Sequence, residues 1–363
     1  MNIYLDNAST TPLCDEAKKS ILEHLDDFGN PSSAHELGRQ SRVLIEDARE
    51  RIAKCINADP DYIYFTSGGS EANTLALKKR RHSASSKFEH HSIVSDWPKI
   101  PVGNDGIIKD HKLNNMLSEW WEIPFDIMSC MYANNEVGVI QPVKELASIA
   151  HRYGILFHTD AVQAIPYQHI DVKELGCDML SASGHKFGAP KGIGFLYANH
   201  RSRVKPMIYG GKQEKGVRPG TENILGIISM AAALEDTVEH MDERNIYIEK
   251  LRNKMLDKLL QIPDSYLNGS LENRVPGNIN IRFSGVSGSK LVTLCSLYGV
   301  YISSGSACNE GISTPSHVLK AMGLTDEEAL NSIRITIGHR NTEEEIDQAV
   351  SIITKLVEMI RNE

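Results

Sequence analysis

The stretch Asp178-Met-Leu-Ser-Ala-Ser-Gly-His-Lys-Phe-Gly-Ala-Pro-Lys-Gly-Ile-Gly194 carries the pattern from which the fold and chemistry of this chain are most directly predicted. Apolar residues 179–180 predict a buried strand, and residues 192–197 predict another. Lys186 lies between them, among glycines and small hydroxyl residues. An amine placed there can form a Schiff base with an aldehyde if its pKa is lowered. A surface lysine in a glycine-rich loop is the simpler alternative.

Apolar runs of strand length and helical patterns alternate on either side of this stretch. Such alternation is typical of an α/β domain with a mainly parallel sheet, and this is the predicted fold class. The predicted strands cover residues 62–65, 127–131, 155–157, 179–180 and 192–197, and the predicted helices cover residues 36–57, 71–80 and 143–153.

The pattern changes beyond about residue 245. A long helical stretch over 245–261 leads into short strands near 278–283 and 333–337, and a final amphipathic helix covers about 342–361. Its first turn is acidic, which suits a helix N-terminus. We therefore predict a large domain over 1–244 and a smaller α+β domain over 245–363. Residues 1–30 fall within the first range, but they could pack with the small domain.

Composition excludes several classes of protein. The formal charge of −8 disfavours direct binding of nucleic acid or of an anionic membrane. The six cysteines form no C-x-x-C pair, so neither a metal site nor a disulfide framework is predicted. The most apolar stretch, residues 225–234, is too short to span a bilayer and predicts a buried helix. No signal peptide is recognisable. We expect a soluble, cytoplasmic protein.

A possible phosphate site precedes the lysine in the chain. In Tyr64-Phe-Thr-Ser-Gly-Gly-Ser-Glu-Ala-Asn73, a predicted strand ends in a turn of small residues before a helix begins. Gly69 and the glycine before it allow close backbone approach, Ser70 can donate a hydrogen bond, and free N–H groups at a helix start favour an anion. Ser183 and His185 could bind the same phosphate. The alternative is a plain strand–turn–helix with a serine N-cap.

An aspartate follows the predicted strand at 155–157, in His158-Thr-Asp160-Ala-Val-Gln163. Sites in open parallel sheets lie at the carboxyl ends of strands. A carboxylate there can pair with a ring nitrogen and keep it protonated, although an N-cap aspartate is the commoner explanation. Phosphate site, ring partner and Schiff-base lysine are together what pyridoxal-5'-phosphate (PLP) requires. Coincidence in all three is not expected.

Two further features concern the substrate. Ser303-Ser-Gly-Ser-Ala-Cys308-Asn-Glu-Gly is a run of small residues with one thiol, which can be exposed and mobile, as a nucleophile must be. Arg334 lies inside a short apolar strand, where a substrate carboxylate would suit its bidentate fork; a structural ion pair is nearly as good an explanation. The remaining cysteines are expected to be buried and inert: Cys14, Cys55, Cys130, Cys177 and Cys295.

These motifs resemble the NifS/IscS-type cysteine desulfurases, in the class V aminotransferase group of fold-type I PLP enzymes. The resemblance begins at Tyr4-Leu-Asp-Asn-Ala-Ser-Thr-Thr-Pro12, continues through Phe28-Gly-Asn-Pro-Ser-Ser33, and extends past Arg334. It covers essentially the whole chain, and the lysine and cysteine segments are its most specific parts. The cysteine segment is similar to the long-loop group of these enzymes.

The resemblance implies a role for each matching residue. It implies that Lys186 binds PLP, that the imidazole after Glu89 stacks on the ring (His90, with His91 as an alternative), and that Thr221 reaches the phosphate of a partner subunit in a homodimer. The other implied cofactor contacts are Asp160 with the ring nitrogen, Gln163 with the ring oxygen, and Gly69, Ser70, Ser183 and His185 with the phosphate; the implied substrate contacts are Asn30, Asn135 and Arg334.

The resemblance also implies a reaction: L-cysteine is converted to L-alanine, with proton transfer by Lys186 and His90. Cys308 takes the sulfur as a persulfide and passes it to an acceptor protein, for iron–sulfur cluster assembly or nucleic-acid thiolation. This chain departs from the family pattern in having fewer residues between His91 and Gly106, and in ending soon after its last helix. These departures leave the cofactor motifs intact but leave the sulfur acceptor open.

Other functions remain possible from the residues alone. A class V aminotransferase or selenocysteine lyase would share the PLP motifs, but transamination needs no thiol at Cys308. A decayed, non-catalytic scaffold is disfavoured because Lys186, Asp160, His90 and Arg334 are all present. A structural protein without a cofactor would lack the absorbance of bound PLP.

Overall fold

A computed structural model of the chain describes residues 2–78, 80, 82–93, 99–119, 125–304, 308–309 and 312–363, with the backbone alone for Cys308–Asn309 and Ile312–Ser313. The strands are β1 (Ile3–Tyr4), β2 (Ile63–Thr66), β3 (Ser83–Ser86), β4 (Lys99–Ile100), β5 (Ile127–Ser129), β6 (Leu156–Asp160), β7 (Met179–Ser183), β8 (Gly194–Ala198), β9 (Ser265–Leu267), β10 (Asn278–Phe283), β11 (Val300–Tyr301), β12 (Cys308–Asn309), β13 (Ile312–Ser313) and β14 (Ser332–Thr336). The helices are α1 (Asp15–Glu23), α2 (Glu36–Cys55), α3 (Gly69–Leu77), α4 (Asp110–Glu119), α5 (Val143–Arg152), α6 (Val172–Leu175), α7 (Ile224–Glu239), α8 (Met241–Leu259), α9 (Gly288–Leu297), α10 (His317–Ala321), α11 (Asp326–Leu330) and α12 (Glu343–Arg361).

The largest sheet has seven strands in the order β2-β8-β7-β6-β5-β3-β4. Its neighbours are parallel except at β8, which is antiparallel to both β2 and β7. All residues of β7 and β8 are buried, as expected of strands whose two faces are both covered. The predicted α/β class with a mainly parallel sheet is confirmed.

A second sheet of three antiparallel strands, β14-β10-β9, belongs to the C-terminal part of the chain. Helix α12 packs against α8 and α9 beside it. It begins with a capping box, in which the Thr342 hydroxyl accepts from the main-chain N–H of Glu345 and the Glu345 carboxylate accepts from that of Thr342. Its buried face, from Ile346 to Ile360, repeats at helical spacing, so the predicted C-terminal helix forms as expected.

The apolar interior has two main clusters. One contains the large sheet with α2, α5 and α7, and the other contains β10, β14, α8, α9 and α12. Ile3 and Leu5 belong to the second cluster, because β1 pairs in parallel with β11. The N-terminus therefore joins the C-terminal sheet region before the chain enters the larger cluster. The domain boundary at residues 244 and 245 stays a prediction.

Some predicted ends differ from the structure. Helix α2 stops at Cys55 instead of residue 57, since Asn57 has a left-handed φ of 51° that no helix continues through. Strand β6 extends to Asp160, beyond the apolar run that predicted it. The helix predicted at 225–234 is buried within α7. Within the described residues, no helix combines the length and apolar character that crossing a membrane requires.

Candidate active site

One cavity of about 350 Å³ lies where β5, β6 and β7 end and α3 begins. Its volume is within the range of small-molecule sites. It brings together ten of the thirteen side chains or backbone positions predicted from the sequence. The lining residues are Ala8, Ser9, Gly69, Ser70, Asn73, His90, Met131, Asn135, Asp160, Val162, Gln163, Ser183, His185, Lys186 and Arg334.

The start of α3 forms one wall of the cavity. Gly68, the N-cap, has φ +150°, a conformation that is essentially restricted to glycine, and it makes no side-chain capping bond. A Cβ atom on Gly69 would lie 2.7 Å from Val162 Cγ2. The predicted alternative of a serine N-cap is therefore wrong, because Gly68 occupies that position. Uncapped N–H groups beside Ser70 are suited to an anion.

Asp160 ends β6 and is 4% exposed. Its Oδ2 accepts from Asn73 Nδ2 at 2.7 Å, and its Oδ1 accepts from the Val162 N–H at 3.0 Å. Burial raises the pKa of this carboxyl, while the bond from Asn73 acts in the opposite direction. No helix begins directly after Asp160, since residues 161–171 are described without one, so the N-cap alternative does not hold.

Lys186 lies at the end of a short 3-10 turn, Gly184–Lys186. Its Nζ donates to the main-chain carbonyls of Ala8 and Ser9, each at 2.6 Å. Burial, followed by the charge of Arg334, lowers the pKa of Lys186 to about 8. At pH 7 about one such amine in ten is neutral, against about one in 3,000 for an ordinary lysine. The neutral fraction of this amine can therefore act as a nucleophile at neutral pH.

The polar groups beside Lys186 can hold an anion without adding a positive charge. Burial, with the nearby lysine charge, lowers the pKa of His185 to about 4, so its ring is neutral at pH 7. Its Nδ1 lies 3.1 Å from Thr10 Oγ1. Ser183 ends β7 on the same wall. Gln163 donates from Nε2 to the Ala8 carbonyl at 2.8 Å, which fastens the N-terminal segment over the cavity.

His90 lines the cavity, whereas the alternative His91 does not. His91 packs instead against His317, with ring centroids 4.6 Å apart. Ser92 contacts His90 Nδ1 twice, through its main-chain N–H at 3.1 Å and its hydroxyl at 2.7 Å. Burial lowers the pKa of His90 below its usual value. Geometry therefore favours His90 as the imidazole that meets a bound ring.

Arg334 reaches the cavity from β14 and is 7% exposed. Its Nη2 pairs with Asp6 Oδ1 at 2.8 Å, and its Nη1 donates to the Asn135 carbonyl at 2.9 Å. Its buried Nε has no hydrogen-bond partner among the described residues. The ion pair given as an alternative is present, and Arg334 also lines the cavity. The partner Asp6 was not identified from the sequence.

Three predicted residues are not placed in this cavity. Asn30 and Thr221 are exposed and do not line it within the chain. The Cys308 side chain lies outside the described residues; the backbone of Cys308–Asn309 pairs antiparallel with Ile312–Ser313. Four of the other cysteines are buried and Cys55 is half-buried. Burial raises the thiol pKa of all five, as expected for inert cysteines.

Sequence reasoning missed several groups that hold the site together. These are Asn73 and Ser92, which contact Asp160 and His90, and the carbonyls of Ala8 and Ser9. Asn73 was within a quoted motif, at helical spacing from Ser70. No local signal marked its contact with Asp160, which is distant in the chain.

The fold and this cavity define the chain as a fold-type I transferase, the α/β class that includes PLP enzymes with a lysine at the end of the central sheet. A family model described as Aminotransferase class-V matches residues 3–349, and the chain belongs to that family.

Curated relatives cover nearly the full length. The chain is 38% identical to "Cysteine desulfurase IscS" of Methanosarcina thermophila, over 99% of this chain and 93% of the relative. It is 40% identical to the IscS protein of Dictyoglomus turgidum, over 99% and 95%. It is 35% identical to "Cysteine desulfurase NifS" of Azotobacter vinelandii, over 99% and 94%.

Solved structures give the same result. A NifS-like protein from Rickettsia africae superposes with a TM-score of 0.92 at 32% identity, covering 99% of this chain and 100% of that one. A structure described as "SspA in complex with cysteine" superposes with a TM-score of 0.78 at 31% identity, covering 94% and 100%.

Proposed function

We propose that the protein is a PLP-dependent cysteine desulfurase, which converts L-cysteine to L-alanine and holds the sulfur as a persulfide on Cys308. The observation that carries this proposal is the single cavity in which Lys186, Asp160, Arg334 and the N-terminus of α3 converge. Relatives that the chain matches over 93% or more of their length carry the name cysteine desulfurase, and one solved relative is described with cysteine.

The residues present fit PLP. The uncapped start of α3, Gly69, Ser70, Ser183 and neutral His185 would hold the phosphate. Asp160 has one hydrogen bond on each oxygen and so keeps capacity for a donor from the ring nitrogen; Gln163 and His90 would contact the ring oxygen and face. When bound, PLP supplies an electron sink for the electrons released at the substrate α-carbon.

Lys186 has two tasks in the proposed reaction. Its neutral amine would hold the cofactor through the aldehyde, and Nζ, when not so engaged, would move a proton at the substrate α-carbon. The carbonyls of Ala8 and Ser9 accept hydrogen bonds from Nζ and hold it at the cavity wall. A lowered pKa lets this amine both accept and release protons near neutral pH.

Arg334 would bind the carboxylate of L-cysteine. Asp6 and the Asn135 carbonyl already hold two guanidinium nitrogens, and this fixes the plane of the group before substrate arrives. These two contacts use only two of the five guanidinium N–H groups, so donors remain for a carboxylate oxygen. Asn30 and Asn135 are proposed as further substrate contacts.

Cys308 is proposed to take the sulfur. Its thiolate attacks the sulfur of the substrate, the bond between that sulfur and carbon breaks, and a sulfur–sulfur bond forms on Cys308. One L-cysteine and one Cys308 thiol thus give one L-alanine and one persulfide. An acceptor protein then removes the outer sulfur, for iron–sulfur cluster assembly or nucleic-acid thiolation, in the cytoplasm.

A homodimer is proposed as the working form. Five large apolar side chains within residues 22–43 are 45% exposed or more in the single chain: Leu22, Leu25, Phe28, Leu37 and Val43. Several large apolar side chains exposed in one segment of the chain favour an interface. Thr221 is exposed and does not line the cavity of its own chain. In a dimer it could therefore reach the phosphate in the cavity of the other copy. Asn30 lies in the same segment.

The test is to incubate purified holoenzyme with L-cysteine and a reductant, and to quantify alanine and sulfide. We expect equal amounts of both from the natural protein, and almost none from Cys308→Ala. Cys55→Ala is the matched control, since Cys55 is half-buried with a pKa raised to about 11, and it should retain activity. Full activity in Cys308→Ala, or pyruvate in place of alanine, would overturn the proposal and favour another class V reaction.

A further inference from the structure

His90 and Asp160 stand on different segments, yet two polar side chains join them. Asn73 Nδ2 donates to Asp160 Oδ2 at 2.7 Å and to Ser92 Oγ at 2.9 Å. Ser92 Oγ lies 2.7 Å from His90 Nδ1. A continuous chain of hydrogen bonds therefore runs from the carboxylate at the end of β6, through α3, to the imidazole.

The directions of these hydrogen bonds follow from the main chain. The N–H of Ser92 can only donate, and it donates to His90 Nδ1 at 3.1 Å, so Nδ1 must present its lone pair. The hydroxyl of Ser92 accepts from Asn73 and therefore has its own proton to donate to Nδ1. The neutral ring then carries its proton on Nε2, the nitrogen that Ser92 does not contact.

We propose that Asn73 and Ser92 are positioning residues that hold Asp160 as a carboxylate and His90 as its neutral, Nε2-protonated tautomer. This rests on the proposed function, in which Asp160 and His90 contact the bound cofactor. One network thereby sets the protonation of the two groups that would lie at the edge and face of the cofactor ring.

Asn73 has features that a purely structural residue would not need. It is 1% exposed, and its Oδ1 is buried without a hydrogen-bond partner among the described residues. An unused buried acceptor costs stability, and an apolar side chain of similar shape would avoid that cost. The two donated bonds are thus the contribution that distinguishes an amide at this position.

Other charges act on the same two groups. Burial raises the pKa of Asp160, whereas Asn73, the Val162 N–H, His90 and Lys186 lower it. Burial, His91 and Lys186 lower the pKa of His90, and Asp160 raises it. Removing the Asn73 amide therefore raises the pKa of Asp160, and removing the Ser92 hydroxyl takes away a donor that favours the neutral imidazole.

The first test uses the protein without cofactor or substrate and does not depend on activity. Histidine ring nitrogens are followed by ¹⁵N NMR against pH, and the His90 signals are assigned by their loss in His90→Gln. In the natural protein, Nδ1 should be unprotonated and Nε2 protonated. Ser92→Ala should raise the His90 pKa by about one unit, the effect of one hydrogen bond to an ionisable group.

Two variants serve as controls. Ser92→Thr keeps the hydroxyl and should restore the natural titration. Thr293→Ala removes an exposed hydroxyl that bonds to the Ser289 carbonyl in α9, and it should change nothing. An unchanged tautomer and pKa of His90 in Ser92→Ala would overturn the proposal.

The second test measures kcat against pH for Asn73→Leu. Because activity requires the Asp160 carboxylate and its pKa rises in the variant, the acidic limb should move to higher pH by about one unit. A lower melting temperature with an unmoved limb would show that Asn73 is only structural. If the natural protein forms no alanine, the proposed function fails, while the NMR result still decides the network. If Asn73→Leu does not fold, the NMR titration of Ser92→Ala still tests the network.

Discussion

Asp160 and Asp178 lie at opposite ends of the same pair of parallel strands, β6 and β7, and the two carboxylates have different surroundings. Asp178 is fully buried, and its oxygens accept from the Phe157 N–H at 2.9 Å, His151 Nε2 at 2.7 Å and Asn199 Nδ2 at 2.9 Å. Asp160 accepts only two hydrogen bonds and lines a cavity.

The difference separates a structural carboxylate from one available for chemistry. Asp178 uses its acceptor capacity to tie the amino end of β6 to neighbouring segments, including Arg201 at 3.6 Å. Asp160 keeps capacity for a further donor, at the strand ends where open α/β sheets bind ligands. Burial is similar in both cases, so unused hydrogen-bonding capacity beside a cavity is the informative feature.

The same substitution at each aspartate gives the largest contrast. Asp160→Asn should lower kcat for alanine formation by about 10²–10³-fold, because it removes the charge that we propose faces the cofactor ring nitrogen. Its melting temperature should fall less than that of Asp178→Asn, since the amide can still accept from the Val162 N–H and the unpartnered Asn73 Oδ1 can turn to accept from its new nitrogen. The measurement is steady-state kinetics beside thermal unfolding. A kcat near that of the natural protein would remove the distinction between the two aspartates.

Asp178→Asn should have the converse effect. Both oxygens of Asp178 accept from donors, so the new amide nitrogen, itself a donor, would face another donor in either orientation. We therefore expect a loss of about 3 kcal/mol in the free energy of unfolding. Activity per folded molecule should stay within about twofold, because Asp178 does not line the cavity. Denaturant unfolding checks the first statement. A large loss of kcat in folded protein would contradict the second.

Lys186 provides the smallest and most graded effect. Its pKa of about 8 predicts that cofactor-free protein captures PLP covalently at a rate that rises about tenfold per pH unit below 8 and then levels off. Rapid-mixing absorbance measures this rate. Arg334→Gln removes a charge that lowers this pKa, so the midpoint should move to higher pH. Lys191→Ala removes an exposed lysine of the same loop and is the control, so it should leave the midpoint unchanged. A midpoint near pH 10.5 in the natural protein would show that the cavity does not lower the pKa of Lys186.

Much of the site was predictable because its residues follow local rules. Gly69, Asp160 and Lys186 each follow a predicted strand within a few residues. The carboxyl ends of neighbouring parallel strands meet at one edge of a sheet. The fold class was predictable for the same reason, since strand and helix patterns alternate. The approximate bounds of α12 followed from its acidic first turn and helical spacing.

Contacts between distant segments were not predictable in this way. Asp6 meets Arg334 across 328 residues, and Asn73 meets Asp160 across 87 residues. Neither pair has a spacing that a periodic pattern would reveal. Asp160 follows an apolar run and Asp178 precedes one, so the sequence gives both the same character. Only their hydrogen-bond partners in the folded chain distinguish them.

The sequence by itself determined the class of this protein, because short motifs encode strand ends, a helix start and a lysine among glycines. The tertiary structure decided which groups are removed from water and which partners they meet. Those two factors set the pKa of Lys186 near 8, select His90 over His91 at the cavity, and pair Arg334 with Asp6. Burial and hydrogen-bond saturation depend on chain segments far apart in the sequence, so they arise only when the chain is folded.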